Sequence, residues 1–255
     1  MSSPHRATLE PVEIPSFDRN RNLGPFTWLY KLHHARRFKW LQRKTRAIPK
    51  SAISVLELGC NDARSIHYIP IPIERYVGFD AGWRSGMWNG HPYGLEAARA
   101  RYRNIPQFEF HRSDHFEDLQ SVPGRFDVAV VLETFEYLRP HELEKYVSVL
   151  ADKLHEGGHI YSTMPNEKGV PLLLKVLGSR LSRVPRSEYT TRQLFNGVLG
   201  RMDRVPRKPF GRKGFDYNAV AQIAKRHFAQ IQLESVEPAA APLSLSLNVG
   251  MVGCK

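Results

Sequence analysis

The stretch VLELGCNDARS, Val55 to Ser65, ends an apolar run in an acid and follows it with a glycine turn. Such a run is a strand that delivers a tight loop to the edge of a sheet, where backbone amides meet a ligand. Two phosphate cofactors are poorly served by it. A dinucleotide fingerprint requires glycines at steps of two and then three, but here Gly59 is followed by Asn61 and then Arg64. A phosphate-cradling loop ends in Gly-Lys-Ser/Thr, and this loop does not. Carboxylates recur instead. Glu57 lies in the first apolar run, Asp80 ends the second, Asp114 follows the third, and Glu133 and Glu136 follow the fourth. An acid in the place of Asp80 accepts hydrogen bonds from both ribose hydroxyls. Strand-end acids without a phosphate donor suit a nucleoside that carries an amine and a positively charged sulfur.

The elements that must position these residues follow from periodicity. Apolar runs at 53–58, 75–80, 107–112, 126–133, 159–165, 231–237 and 245–253 read as strands. Helical stretches at roughly 94–103, 140–154 and 216–228 lie between them. Alternation of this kind predicts an α/β fold, a doubly wound, Rossmann-like, seven-stranded and mostly parallel sheet. The last two strands are joined by PAAAPLS alone, so a hairpin-like return makes the final strand antiparallel. Residues 166–215 break the alternation and are too long for a plain connection; they predict a helical insertion over the carboxyl ends of the strands.

Upstream, residues 1–24 read as an arm rich in Pro, Arg, Asn and Ser. Residues 25–48 read as a helix with seven Lys/Arg and no acid. Phe26, Leu29, Tyr30, Trp40 and Leu41 share one side of it, but Arg37 and Lys44 interrupt that side. A helix partly covered by the following domain is the expectation. The chain thus divides into an arm and basic helix, 1–50, and a main domain, 51–255.

Length and a hydrophobic fraction of 42% allow a sizeable core. Two cysteines, Cys60 in the loop and Cys254 near the end, argue against a disulfide framework. The first residues carry no apolar leader, and no run of ~18 apolar residues occurs. The expected location is cytoplasmic, with peripheral contact to a membrane open. A formal net charge of +12 predicts attraction to anionic partners: a lipid surface, nucleic acid or an anionic substrate.

The ordered set ELGCND, VGFD, HRSD, FDVAVVLETFEYL and LADKLHEGGHIYSTMPNE resembles class I S-adenosylmethionine (SAM) dependent methyltransferases, the small-molecule type above all. It covers about residues 50–166. The family's loop reads ExGxGxG; this chain keeps Glu57 and Gly59 but has Asn61 and Ala63 in the later positions. Asn is the non-glycine residue that best tolerates positive φ, and Ala asks for room for a methyl group. The resemblance implies SAM as cofactor, with Glu57, Gly59, Asn61, Asp80, Asp114 and Leu132 around it. Asp114 stays open between the adenine amine and a helix N-cap.

Related methyltransferases hold a divalent metal with ExxEH after the fourth strand; Glu133-Thr134-Phe135-Glu136-Tyr137 lacks that histidine, and no metal is expected. An alcohol acceptor needs a base, for which Glu133, His91 and His141 are the candidates. Tyr137, Tyr189, Arg192 and Lys213 are candidates for the acceptor, with cations suited to a carboxylate or phosphate. Leu172, Leu173, Val176 and Leu177 share a helical face, for which internal packing is the expectation. The expected activity is methyl transfer, at oxygen, to a small molecule or a lipid- or glycan-linked acceptor. RNA methylation and a non-catalytic binding role are the alternatives. The sequence is silent on oligomeric state.

Overall fold

A computed structural model describes the backbone of residues 27–88, 90–181, 189–208 and 210–255, with side chains from His34 onward. The expected arm at 1–24 lies outside these residues. The strands are β1 Ile53–Leu58, β2 Ile73–Asp80, β3 Gly86–Trp88, β4 His91–Tyr93, β5 Phe108–Arg112, β6 Phe126–Leu132, β7 Leu154–Pro165, β8 Gln230–Glu237 and β9 Asn248–Cys254. The helices are α1 Thr27–Arg46, α2 Leu95–Tyr102, α3 Phe116–Ser121, α4 Pro140–Asp152, α5 Gly169–Leu181, α6 Thr191–Val198 and α7 Tyr217–Ala224.

Seven strands form one sheet in the order β5-β2-β1-β6-β7-β9-β8. β9 pairs antiparallel with both β7 and β8, so it is the strand that reverses. The remaining two strands, β3 and β4, form a separate antiparallel hairpin. Their three-residue runs, broken by Gly and Pro, are too short to leave a period-two signal.

β1 and β6 are buried along their whole length, which is why they read as mostly apolar runs, interrupted by Ser54, Glu57 and Asp127, rather than as strictly alternating ones. The side chains of β1, β2 and β6 divide between two cores. Leu56, Val77, Ala129 and Val131 pack under α3, α4 and α7. Val55, Tyr76, Val128 and Val130 pack under α1, α2 and the short 3₁₀ turn Arg64–Tyr68. Trp40 and Leu41 of α1 are fully buried there, and Phe38 stacks on Tyr68 at 5.0 Å. The two cations that interrupt the helix's apolar side are each paired with an acid. Lys44 reaches Glu234 at 2.6 Å and Arg37 reaches Glu133 at 2.9 Å.

The 166–215 insertion folds as α5 and α6, with a 3₁₀ turn at Met202–Arg204. The expectation of internal packing holds for Leu172 and Val176 and fails for Leu173 and Leu177, which are exposed. A helix has one inward face at a time, and the four residues span both sides of its edge.

Candidate functional site

The strand order reverses at β1, whose neighbours are β2 on one side and β6 on the other. The crevice beyond the carboxyl ends of these strands is where an open α/β sheet places a ligand. The loop there has a regular backbone. Gly59 has φ 78°, Asn61 49° and Ala63 54°, three left-handed residues separated by one each. They occupy the three glycine positions of the ExGxGxG pattern. Ala63 asks for more than room, because a non-glycine residue in this region costs about 1–2 kcal/mol; burial of its methyl group among the α1 and α2 side chains offsets part of that. Gly59 is required for a different reason: a Cβ there would stand 2.0 Å from the Thr134 hydroxyl, so the loop lies directly on the tip of β6.

Asp80, at the end of β2, braces the loop. Its Oδ2 accepts the Asn61 amide at 2.9 Å and its Oδ1 accepts the Gly82 amide at 2.7 Å. Each carboxylate oxygen retains a second lone pair, and the carboxylate is only partly covered. Asn61 is exposed beside it. One acceptor pair on an open loop edge fits a ribose diol.

Glu57 lies buried beneath the loop. It is 2% exposed, and its Oε2 accepts from the Ser65 hydroxyl and, at 2.5 Å, from the Tyr76 hydroxyl. The 3₁₀ turn after the loop folds Ser65 over it, so it supports the loop from beneath. Burial pushes the Glu57 carboxyl up to about 7, against the lowering effect of its two hydroxyl donors. A raised folded value means its favourable contribution is complete below the unfolded value near 4.5 and is lost as pH rises to about 7. Urea titrations should therefore show wild-type stability falling between pH 5 and pH 8, with a smaller fall in Glu57→Gln. An identical fall in both proteins would show that this carboxyl is not the buried titrating group.

Asp114 is exposed, lies 3.4 Å from His115, and does not cap α3. The residue entering that helix is His115, and its side chain makes no cap either. The Asp114 carbonyl accepts from the Tyr146 hydroxyl at 2.6 Å, which leaves its carboxylate facing water. Leu132 is buried at the last position of β6.

Beyond β6 the charges concentrate. Glu133 has φ 50°, outside the usual range for its type, and is 7% exposed. Its carboxylate receives Arg37 from α1 at 2.9 Å, Arg212 from the insertion at 2.7 Å, and the Asn248 amide of β9 at 3.0 Å. Three donors from three elements hold a strained residue in place. Glu136 is fully buried, and among the described residues neither of its carboxylate oxygens has a hydrogen-bond partner. The Arg212 Nε lies 3.6 Å from it, so one guanidinium stands between two carboxylates. Burial raises the Glu136 carboxyl despite the pull of Arg212. Arg207 donates to the Glu136 carbonyl at 2.6 Å and lies over the Phe215 ring, 4.9 Å from its centroid.

The other candidates are scattered. His91 is exposed at the start of β4, and His141 is exposed in the first turn of α4, 3.9 Å from Glu142. Tyr137 is half-buried after Glu136. Tyr189 is half-buried, accepts the Gly214 amide at 3.4 Å, and has Lys213 5.8 Å from its ring. Arg192 is exposed on α6. Among the described residues no group of three His, Cys, Asp or Glu is placed to hold a metal ion. Two surface hollows lie away from the loop, one of about 690 Å³ between α1 and residues 239–243, one of about 350 Å³ beside β5.

No protein-family profile and no curated protein matches the chain. Solved structures do. Magnesium protoporphyrin IX methyltransferase (ChlM) from Synechocystis PCC 6803 with bound SAH aligns with a TM-score of 0.55 at 12% identity, over 91% of this chain and 88% of that one. The methyltransferase domain of bacterial CtHen1 aligns with a TM-score of 0.53 at 14% identity, over 87% of this chain and 99% of that one. The likeness spans nearly the whole of all three chains, so the fold is that of the class I SAM-dependent methyltransferases.

Proposed function

We propose that the protein is an enzyme that binds SAM on the Gly59–Ala63 loop and transfers its methyl group to an acceptor beneath the 166–215 insertion. The observation that carries this reading is the run of left-handed residues at Gly59, Asn61 and Ala63, braced by Asp80, at the reversal of strand order. That backbone is costly without glycines; a nucleoside on its open edge accounts for it.

In this reading Asp80 accepts the two ribose hydroxyls through its free lone pairs, and Gly59 lets the β6 tip approach the loop. SAM, when bound, supplies a methyl group on a positively charged sulfur, open to displacement by a nucleophile. The chain's part is alignment, which suffices for much of the acceleration of such a displacement. Glu133 positions rather than abstracts: a carboxylate already receiving two guanidinium groups is a weak base. Arg212 supplies positive charge between Glu133 and Glu136. The acceptor class proposed is a small molecule or the exposed part of a lipid- or glycan-linked molecule, methylated at oxygen.

Titration calorimetry with SAM and with its demethylated product tests the cofactor. Micromolar binding of both is expected, and absence of heat with either ligand overturns the reading. A cell extract incubated with the protein and isotopically labelled SAM, followed by mass spectrometry, identifies the acceptor without presupposing it.

A further inference from the structure

We propose that the carboxyl-terminal edge of the sheet is a docking face for an anionic lipid bilayer, led by the apolar stripe of α5. Among the described residues ten large hydrophobic side chains are exposed, and all ten lie in segments that leave or rejoin the sheet at that edge. Trp83 follows β2, and Phe210 of the insertion meets it edge to face at 5.1 Å. Even Leu245, near the far end of the chain, precedes β9 on this side, because Asn248 pairs with Pro165 at the end of β7. A surface that scatters single apolar residues has no reason to confine them to one edge.

α5 carries the clearest pattern. Val170, Leu173, Leu174 and Leu177 recur at steps of three and four and are 46%, 37%, 55% and 44% exposed. Leu172 and Val176, on the opposite side, are 1% and 4% exposed and hold the helix to the domain. The helix is therefore packed by one apolar face and presents another to the outside. Among the described residues no helix is long and apolar enough to cross a membrane, so the contact is peripheral.

Charge selects the occupant. Between Lys168 and Met202 the chain carries seven Lys/Arg, two of which, Lys168 and Lys175, pair with Asp216 and Glu167, and a single acid, Glu188, within a protein of net charge +12. A second copy on this face would bring like charge against like. An anionic bilayer takes the apolar stripe into its interface and the cations into its headgroup field. Docking does not depend on methyl transfer. Its consequence does rest on that reading: the acceptor would be presented to the loop edge from the membrane.

The test is co-sedimentation of the full chain with vesicles of phosphatidylcholine, alone or mixed with phosphatidylglycerol. Binding to the mixed vesicles should exceed binding to neutral ones by about tenfold or more and weaken with added salt. Leu174→Glu and Leu177→Glu, both on exposed positions, should each lower it by about tenfold at unchanged thermal stability, while Leu174→Phe retains it. No binding to mixed vesicles, equal binding to neutral ones, or undiminished binding by both Glu variants overturns the proposal. So does a dimer in light scattering that dissociates in Leu174→Glu, which would assign the stripe to a second copy. SAM calorimetry on the same variants should be unchanged, so a failure of docking is distinct from a failure of the cofactor reading.

Discussion

Asp80→Ala should weaken SAM binding by about a hundredfold. The carboxylate has two tasks that the substitution removes together. It accepts the Asn61 and Gly82 amides at 2.9 and 2.7 Å, and it faces the open edge of the loop. Hydrogen bonds to a charged group contribute about 1.5–3 kcal/mol each, and two ribose hydroxyls depend on this one group in the proposed pose. A loss near 3 kcal/mol corresponds to roughly two powers of ten in affinity. The protein should stay folded, because the acceptor is at the edge and both amides can turn to water; a cost of about 1 kcal/mol is expected from the freed loop. Asp80→Asn is the sharper probe. It keeps one acceptor oxygen for the loop and removes the charge, so its affinity should fall between the two. Calorimetry gives the affinities and a thermal melt the stability. An affinity within twofold of wild type in a folded Asp80→Ala protein would remove the ribose from this place.

How much of this was legible beforehand depends on the distance over which a residue acts. β1 and β6 were readable because both faces of each strand are buried, and burial on two faces writes a mostly apolar run, here interrupted only by Ser54, Glu57 and Asp127. The turn at Asn61 was readable because positive φ selects among few residue types. The burial of Glu57 was not readable because its environment depends on Ser65 and Tyr76, one of them brought back by a 3₁₀ turn with no sequence signature of its own. Asp114 looked like a helix cap by type and position, but the chain enters α3 one residue later, so the carboxylate is left outside. The charge cluster was the hardest part. Arg37, Glu133, Arg212 and Asn248 come from four segments, and no local pattern unites them. One trace was visible: Arg37 interrupts an apolar helix side, and a cation in that place calls for a buried acid elsewhere. The sequence offers 25 acids and no way to choose among them.

Removal of Arg212 tests that cluster most severely. Its guanidinium lies 2.7 Å from Glu133 and 3.6 Å from Glu136, both buried. Taking one partner from a buried charge group costs about 3–5 kcal/mol, because the remaining charges stay desolvated. In a domain of this size about 1 kcal/mol moves the melting temperature by roughly 2–4 °C, so Arg212→Ala should melt on the order of 10 °C lower. The loss must depend on pH, and its sign follows from Glu136. Burial already raises that carboxyl, and loss of the cation raises it further. A carboxyl with a raised folded value contributes most below its unfolded value near 4.5 and loses that contribution as pH rises through the folded one. The penalty of Arg212→Ala should accordingly be smaller at pH 5 than at pH 8. Glu136→Gln, placed in the Arg212→Ala protein, should restore part of the stability at pH 8 and little at pH 5, since a neutral amide no longer needs the missing cation. A penalty below about 1 kcal/mol, or one equal at both pH values, would mean that Arg212 rests on the surface and that Arg37 and Asn248 hold Glu133 without it.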